Sequence, residues 1–211
     1  MVLKIVLDNI EKKFNKDLLF SGININFEVN NRYALMGANG SGKSTLLQII
    51  SSYLSPSKGQ ISYFYNNQKI EENEVFHHVS IVAPYLELIE EMTLTEFLEY
   101  HFSFKQKLIS INEMIDYVGL NLSKNKPIEK FSSGMKQRVK LLQAFMSNSP
   151  ILLLDEPCSN LDQAGFETYT QLMNNFSKNK IVIVASNDLQ EIKPCNHQIN
   201  ISDYKNSNGA Q

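Results

Sequence analysis

The residues Gly37-Ala38-Asn39-Gly40-Ser41-Gly42-Lys43-Ser44-Thr45 carry the most specific chemistry in the chain. They fit G-x-x-x-x-G-K-[ST] through Gly37, Gly42, Lys43 and Ser44. Glycines let a backbone curl so that successive N–H groups converge on an anion. A helix starting directly after the loop adds the partial positive charge of its N-terminus. Lys43 would reach terminal phosphates as a point charge, and the Ser44 hydroxyl would sit on Mg²⁺. A plain Gly/Ser-rich turn would need neither side chain at those places. A second acidic element follows later. Ile151-Leu152-Leu153-Leu154 is apolar and runs into Asp155-Glu156-Pro157. A carboxylate at the end of a buried strand lies where an α/β sheet places its ligands. Asp155 fits as the metal-side carboxylate partnering Ser44. Glu156 points the other way along the pleat and could act as general base toward a water.

Such residues work only if strands and helices bring them together. An apolar run, Tyr33 to Met36, reads as a strand entering the glycine loop, within a strand that starts at Arg32. Leu46, Leu47, Ile49, Ile50, Tyr53 and Leu54 repeat at helical spacing, predicting a helix to about Leu54, before Ser55-Pro56. Upstream, Val2 to Ile10 reads as a strand. Ile23, Ile25, Phe27 and Val29 alternate with polar residues, predicting a half-buried antiparallel strand. Gly59–Tyr65 and Gln68–Ile70 flank Asn66-Asn67 as a hairpin, and Val79 to Ala83 is a further strand. From Leu86 to about Leu122 the pattern is helical. Thr93 with Glu96, and Ser110 with Glu113, have capping-box spacing, and Gly119 suits a helix end. Residues 121–130 read as a loop. Ser132-Ser133 opens a helix with Met135, Val139, Leu142 and Met146 on one stripe. A helix over about 163–176, a buried strand Ile181–Ala185 and a last strand Gln198–Ile201 complete the order. Residues 203–211 read as a polar, flexible tail.

Composition bounds the rest. The chain has 211 residues, a net charge of −2 and an apolar fraction of 43%, which fits one globular domain. Its charge balance and the absence of a long basic stretch argue against a nucleic-acid partner. Cys158 and Cys195 make no disulfide framework or metal spacing, which fits a reducing compartment. His77-His78 lack companions at ligand spacing. No apolar run reaches the ~20 residues of a membrane helix, and the N-terminus does not read as a signal peptide. The fold expectation is α/β: a mixed sheet core with an antiparallel β subdomain and a small helical lobe at about 86–130, all within residues 1–202.

Together with Phe131-Ser132-Ser133-Gly134-Met135-Lys136-Gln137-Arg138, these segments resemble the ATP-binding subunit of ATP-binding cassette (ABC) transporters, over about residues 2–202. The family's L-S-G-G-Q signature stands here as Phe131 to Met135, with Ser132 and Gly134 as the matches. The resemblance implies a P-loop NTPase of the ABC type that binds ATP and Mg²⁺. It implies ATP hydrolysis between two subunits paired head to tail, identical or different, with Ser132 and Gly134 capping the γ-phosphate held by the partner. It also implies an integral membrane transporter subunit as partner and a place on the cytoplasmic face of the membrane. The chain is short for the family, which favours small exporters, including the haem-export type. Phe14, 29 residues before Lys43, stands where the family places an adenine-stacking aromatic; it also reads as an ordinary core or surface Phe. Ser159-Asn160-Leu161-Asp162 resembles the D-loop that links the two sites, and also a plain loop capped by Asp162. Ser132 likewise reads as a helix N-cap, compatibly with its signature role. Leu86, Leu88, Ile89, Met92 and Phe97 read either as a groove for a membrane-subunit helix or as the lobe's own core.

Two positions depart from the family. Its Q-loop glutamine is replaced by Tyr85, after Val82-Ala83-Pro84. Its H-loop histidine is replaced by Asn187, which can donate a hydrogen bond but cannot carry a charge or relay a proton. Slow hydrolysis is therefore expected, with Glu156 and Asn187 as the catalytic pair. The alternative is a switch that dimerises on ATP with little or no turnover.

Overall fold

The computed structural model describes residues 3–205. Val2, expected in the first strand, and residues 206–211 of the expected tail lie outside the described residues.

Two sheets are built from β1 (Leu3–Phe14), β2 (Asp17–Glu28), β3 (Arg32–Met36), β4 (Lys58–Tyr65), β5 (Gln68–Ile70), β6 (Val79–Val82), β7 (Ile151–Asp155), β8 (Ile181–Ala185) and β9 (His197–Asn200). The helices are α1 (Lys43–Ile50), α2 (Val75–His78), α3 (Leu94–Phe104), α4 (Ile111–Tyr117), α5 (Ser133–Phe145), α6 (Gln163–Phe176) and α7 (Leu189–Ile192). One sheet is antiparallel in the order β2-β1-β4-β5; the other is parallel in the order β6-β7-β8-β3-β9.

The parallel sheet explains itself by period. Successive side chains leave opposite faces of a strand. Leu152, Leu154, Val182, Val184 and Ala34 pack with α5, α6 and the helical lobe. Ile151, Leu153, Ile181, Ile183 and Leu35 pack with α1 and the antiparallel sheet. Residues 151–154 are fully buried, worth roughly 1.5–3 kcal/mol each by area. Both faces are covered, so these strands have no polar side and read as unbroken apolar runs. The same parity sends Asp155, next after Leu154, to the α1 side, where the phosphate loop lies.

The antiparallel sheet is longer than its sequence pattern shows. β1 continues past Ile10 to Phe14 because Asn9 takes a left-handed φ of 49°, and the pairing register shifts between Leu7 and Ile10. Such a bulge breaks the alternation without ending the strand. Asn66 and Asn67, both at positive φ, form the hairpin turn between β4 and β5, as asparagine permits.

The lobe's two main helices start at Thr93 and Ser110, each with both arms of a capping box. Two expectations are corrected. The helix after the phosphate loop ends at Ile50, not Leu54. Ser52 takes φ 59°, and the N–H groups of Tyr53 and Leu54 both turn back to the Gln48 carbonyl. Leu86 to Met92 is not helical either; its backbone runs in turns, held by Glu90 and Met92 carbonyls accepting from Glu129 and Ile128. Ile201–Tyr204 forms a short 3-10 turn with Ile201 buried.

Candidate functional site

The site forms at the C-terminal edge of the parallel sheet. β3 delivers the loop of residues 37–42, and α1 begins at Lys43 with Gly42 at φ 105°. Gly37 takes φ 141°, and a Cβ there would lie 2.7 Å from Ser41 Oγ. Only glycine leaves that cradle open. Lys43 is buried, and its Nζ donates to the carbonyls of Gly37 at 2.7 Å and Ala38 at 3.3 Å. Burial pushes its pKa down, against the opposing pull of the Glu156 and Asp155 carboxylates. Ser41 Oγ is buried without a partner among the described residues. Gly40 faces open space, and Ser44 is exposed at the mouth. A lysine with only carbonyls to bind, beside an unpartnered hydroxyl and converging N–H groups, suits a phosphate chain.

β7 brings Asp155 to Ser44. The carboxylate is almost wholly buried and lies beside the Ser44 hydroxyl. Burial raises its pKa, the Ser44 hydroxyl and Lys43 oppose this, and Glu156 adds to it. A carboxylate and a hydroxyl are the oxygen ligands Mg²⁺ takes, usually with phosphate oxygens and waters completing the shell. No cluster of three or more His, Cys, Asp or Glu that could hold a metal exists among the described residues, as that mode of binding requires none.

Glu156 departs from strand geometry. Its φ is 46°, a conformation that residues with a Cβ adopt only under constraint. Its N–H bonds the Ala185 carbonyl at 2.9 Å, while the side chain is exposed at the sheet edge. It stands free to meet a water. Asn187 follows β8, and its Nδ2 donates to Asn39 Oδ1 of the phosphate loop at 2.7 Å. Tyr85 follows β6; its hydroxyl lies beside the Gln48 side chain and within the field of Asp155, and burial raises its pKa. Gln48, on α1, escaped the sequence reading because no motif marks it. Its signal was its position four residues after Ser44, on the same helix face.

The signature segment lies across the 156–162 loop. Ser132 caps α5, its Oγ accepting from Met135 N–H at 3.3 Å. Gly134 packs so closely that a Cβ would sit 2.9 Å from the Asn160 carbonyl. Ser132 is exposed, so its helix N-terminus is open to a second molecule. Thr45 lies in the first turn of α1. Phe14 is half exposed at the end of β1, with Lys12 Nζ 5.1 Å from its ring centroid; the ring is available for stacking but is not joined to the loop by any contact described here.

The lobe residues divide. Leu88 and Phe97 are buried in the lobe's own core, whereas Ile89 is exposed. Leu86 lines a groove of about 420 Å³ with Tyr53, Phe76, Ile81 and Ala144. Tyr53 and Phe76 are 80% and 59% exposed. Burial of Cys158 raises its thiol pKa far above the usual range, so it is a packed, inert residue. No helix of the described residues is long and apolar enough to cross a membrane.

A family model described as ABC transporter matches residues 20–159. This chain belongs to that family, as an ATP-binding subunit. It is 28% identical to the bacitracin transport ATP-binding protein of Bacillus licheniformis, over 88% of this chain and 62% of that protein. It is 27% identical to a lantibiotic transport ATP-binding protein of Streptococcus pyogenes, over 89% of this chain and 81% of that protein. The chain spans only about three-fifths of the length of several relatives it matches. Among solved structures, a dimeric ATP-binding cassette in a post-hydrolysis state with ADP and phosphate superposes with a TM-score of 0.79 at 25% identity, over 93% of each chain. The mixed-sheet P-loop fold expected from the sequence is thereby shown.

Proposed function

We propose that this chain hydrolyses ATP as one of two paired cassettes that drive a membrane transporter. The observation that carries the reading is the meeting of Lys43, Ser44, Asp155, Glu156 and Asn187 at one sheet edge, opposite an open signature-helix N-terminus on the same molecule. Residues 37–45 bind the phosphates, and Ser44 and Asp155 hold Mg²⁺, which neutralises phosphate charge. Phe14 stacks on the base. Glu156 takes a proton from the attacking water. Asn187 donates to the transferring phosphoryl group. Ser132 and Gly134, at the exposed start of α5, serve the phosphate loop of a partner chain. ATP therefore favours the paired state, and its loss favours separation.

The groove beside Leu86 takes a helix from an integral membrane subunit, which places the chain against the cytoplasmic face of the membrane. Exposed Tyr53 and Phe76 supply the large rigid apolar area that such contacts use.

The test is phosphate release by the purified chain over a range of protein concentrations, beside Glu156→Gln. We expect turnover per chain to rise with concentration, and Glu156→Gln to fall by about 10²–10⁴, the range of a general base, while still forming an ATP-dependent dimer. Wild-type turnover matching that of Glu156→Gln, with ATP-dependent dimers from both, would refute hydrolysis and leave a dimerisation switch.

A further inference from the structure

We propose that Gln137 and Glu191 are positioning residues for Glu156, gripping from opposite ends the peptide unit that lies one residue beyond it. The Pro157–Cys158 peptide offers one acceptor and one donor. Gln137 Nε2, on α5, donates to the Pro157 carbonyl at 2.6 Å. The Cys158 N–H donates to Glu191 Oε1, on α7, at 2.9 Å. Both side chains are buried, Gln137 at 8% exposure and Glu191 at 5%.

Neither residue is where helix packing alone would put it. Burying an amide or a carboxylate is unfavourable unless a partner compensates. Burial pushes the Glu191 pKa up, while its bond from the Cys158 N–H opposes that. Each has a partner on the same peptide, in a loop that belongs to neither helix, and Glu191 Oε2 is buried without a partner among the described residues.

That loop has reason to be held. Glu156 sits at φ 46°, which a residue with a Cβ keeps only when its surroundings over-determine it. Three kinds of constraint act here. The Glu156 N–H is tied to the Ala185 carbonyl, and its carbonyl accepts from Ser159 N–H at 3.2 Å. Pro157 fixes its own φ. The next peptide is then clamped by Gln137 and Glu191. The clamp adds to the Leu161 N–H bond to the Cys158 carbonyl at 3.0 Å, and its loss loosens the hold that keeps Glu156 away from ordinary strand geometry.

The two arms come from meaningful places. Gln137 lies one turn beyond Gly134, on the face of α5 that meets the loop at Asn160. Glu191 lies one turn beyond Asn187 and follows the Asp188 cap of α7. A shift of the signature helix, or of the Asn187 segment, therefore reaches Glu156 through a single peptide. Tyr169 adds support by donating its hydroxyl to the Glu191 carbonyl at 2.8 Å.

This inference rests on Glu156 being the general base, and the experiment separates the two. Gln137→Leu, Glu191→Ala and Glu191→Gln are made in wild type, and Gln137→Leu also in Glu156→Gln. ATPase rate, ATP affinity by a fluorescent nucleotide, and Tm are measured. We expect Gln137→Leu and Glu191→Ala to lower kcat about tenfold, the value of one hydrogen bond of this kind, with ATP affinity unchanged. Glu191→Gln keeps an acceptor oxygen for the Cys158 N–H and is expected to stay within about threefold of wild type, which holds even if the alanine variant folds poorly. In Glu156→Gln, the added Gln137→Leu is expected to cost nothing further, because its effect runs through the missing carboxylate. Equal losses from Gln137→Leu in both backgrounds would overturn the proposal and mark Gln137 as structural. An undiminished rate in Glu156→Gln alone would instead overturn the general-base reading, and this proposal with it.

Discussion

Replacing Asn187 with alanine and with histidine should move turnover in opposite directions. Asn187 Nδ2 donates to Asn39 Oδ1 at 2.7 Å. To serve a phosphate it must first release that neutral bond, worth about 0.5–1.5 kcal/mol net. A hydrogen bond to a charged phosphate oxygen returns roughly 1.5–3 kcal/mol. The difference, about 1–1.5 kcal/mol, is what Asn187 contributes to the transition state, so Asn187→Ala should lower kcat about five- to tenfold. A histidine does not depend on breaking the amide pair, and when protonated it makes an ion-assisted bond. Its gain over asparagine is about 1–2 kcal/mol, or roughly 5–30-fold in kcat. The advantage should shrink as pH rises above the ordinary imidazole pKa of about 6.5. The assay is phosphate release at saturating ATP and Mg²⁺, with the dimer fraction matched by light scattering. A wild-type kcat in Asn187→Ala would refute the reasoning, as would a slower Asn187→His.

Asp155→Asn should raise the Tm of the nucleotide-free chain, because burial already raises the pKa of Asp155; the same change should remove the extra Tm gained with ATP and Mg²⁺ together, and calorimetry reads both. His101 carries a pKa lowered to about 4, chiefly by burial, with Lys105 adding to it. A base with a depressed folded pKa binds fewer protons folded than unfolded, so its contribution is lost as pH falls from about 6.5 toward 4. His101→Gln should therefore flatten urea stability across that window by up to about 3 kcal/mol, and equal slopes for the two proteins would refute it. Tyr85→Phe deletes the hydroxyl that lies beside Gln48 in the field of Asp155; kcat should fall about two- to fivefold, less than a well-formed hydrogen bond is worth, with little change in Tm, and an unchanged kcat would make the hydroxyl a bystander.

What was legible in the sequence followed how local its cause is. The phosphate loop, the buried strand before Asp155 and the capping boxes at Thr93 and Ser110 each depend on residues within a few positions of one another. Their geometry is therefore written where it acts. The end of α1 was not, because the periodicity of Tyr53 and Leu54 continues while Ser52 leaves the helix at positive φ. The extension of β1 to Phe14 was hidden by the Asn9 bulge, which breaks the two-residue period. Gln137 and Glu191 stood in plain view inside motif segments, yet their partner is a peptide 20 and 33 residues away in sequence. No local pattern encodes a contact at that distance. Gln48 and Tyr85 likewise lie 37 positions apart in sequence.

The two departures from the family share a physical character. Tyr85 and Asn187 are both neutral; Tyr85 lies beside Gln48 of α1, and Asn187 bonds Asn39 of the phosphate loop. Both therefore rest against the same loop-and-helix unit that would receive nucleotide. Lys43 rests there too, on the Gly37 and Ala38 carbonyls. Entry of a phosphate chain would exchange the Lys43 and Asn187 bonds for bonds to phosphate oxygens, while the Gln48–Tyr85 pair, farther along α1, can persist. Charge is thus concentrated in Lys43, Asp155 and Glu156, and the flanking positions contribute only dipoles. On the proposed function, a site built this way would keep its affinity for ATP, since binding uses the groups that are retained. It pays instead in the transition state, where the displaced phosphoryl charge meets an amide rather than a cation. Affinity and turnover are therefore separable here, and the substitutions that raise turnover are those that add charge at position 187 without touching the loop.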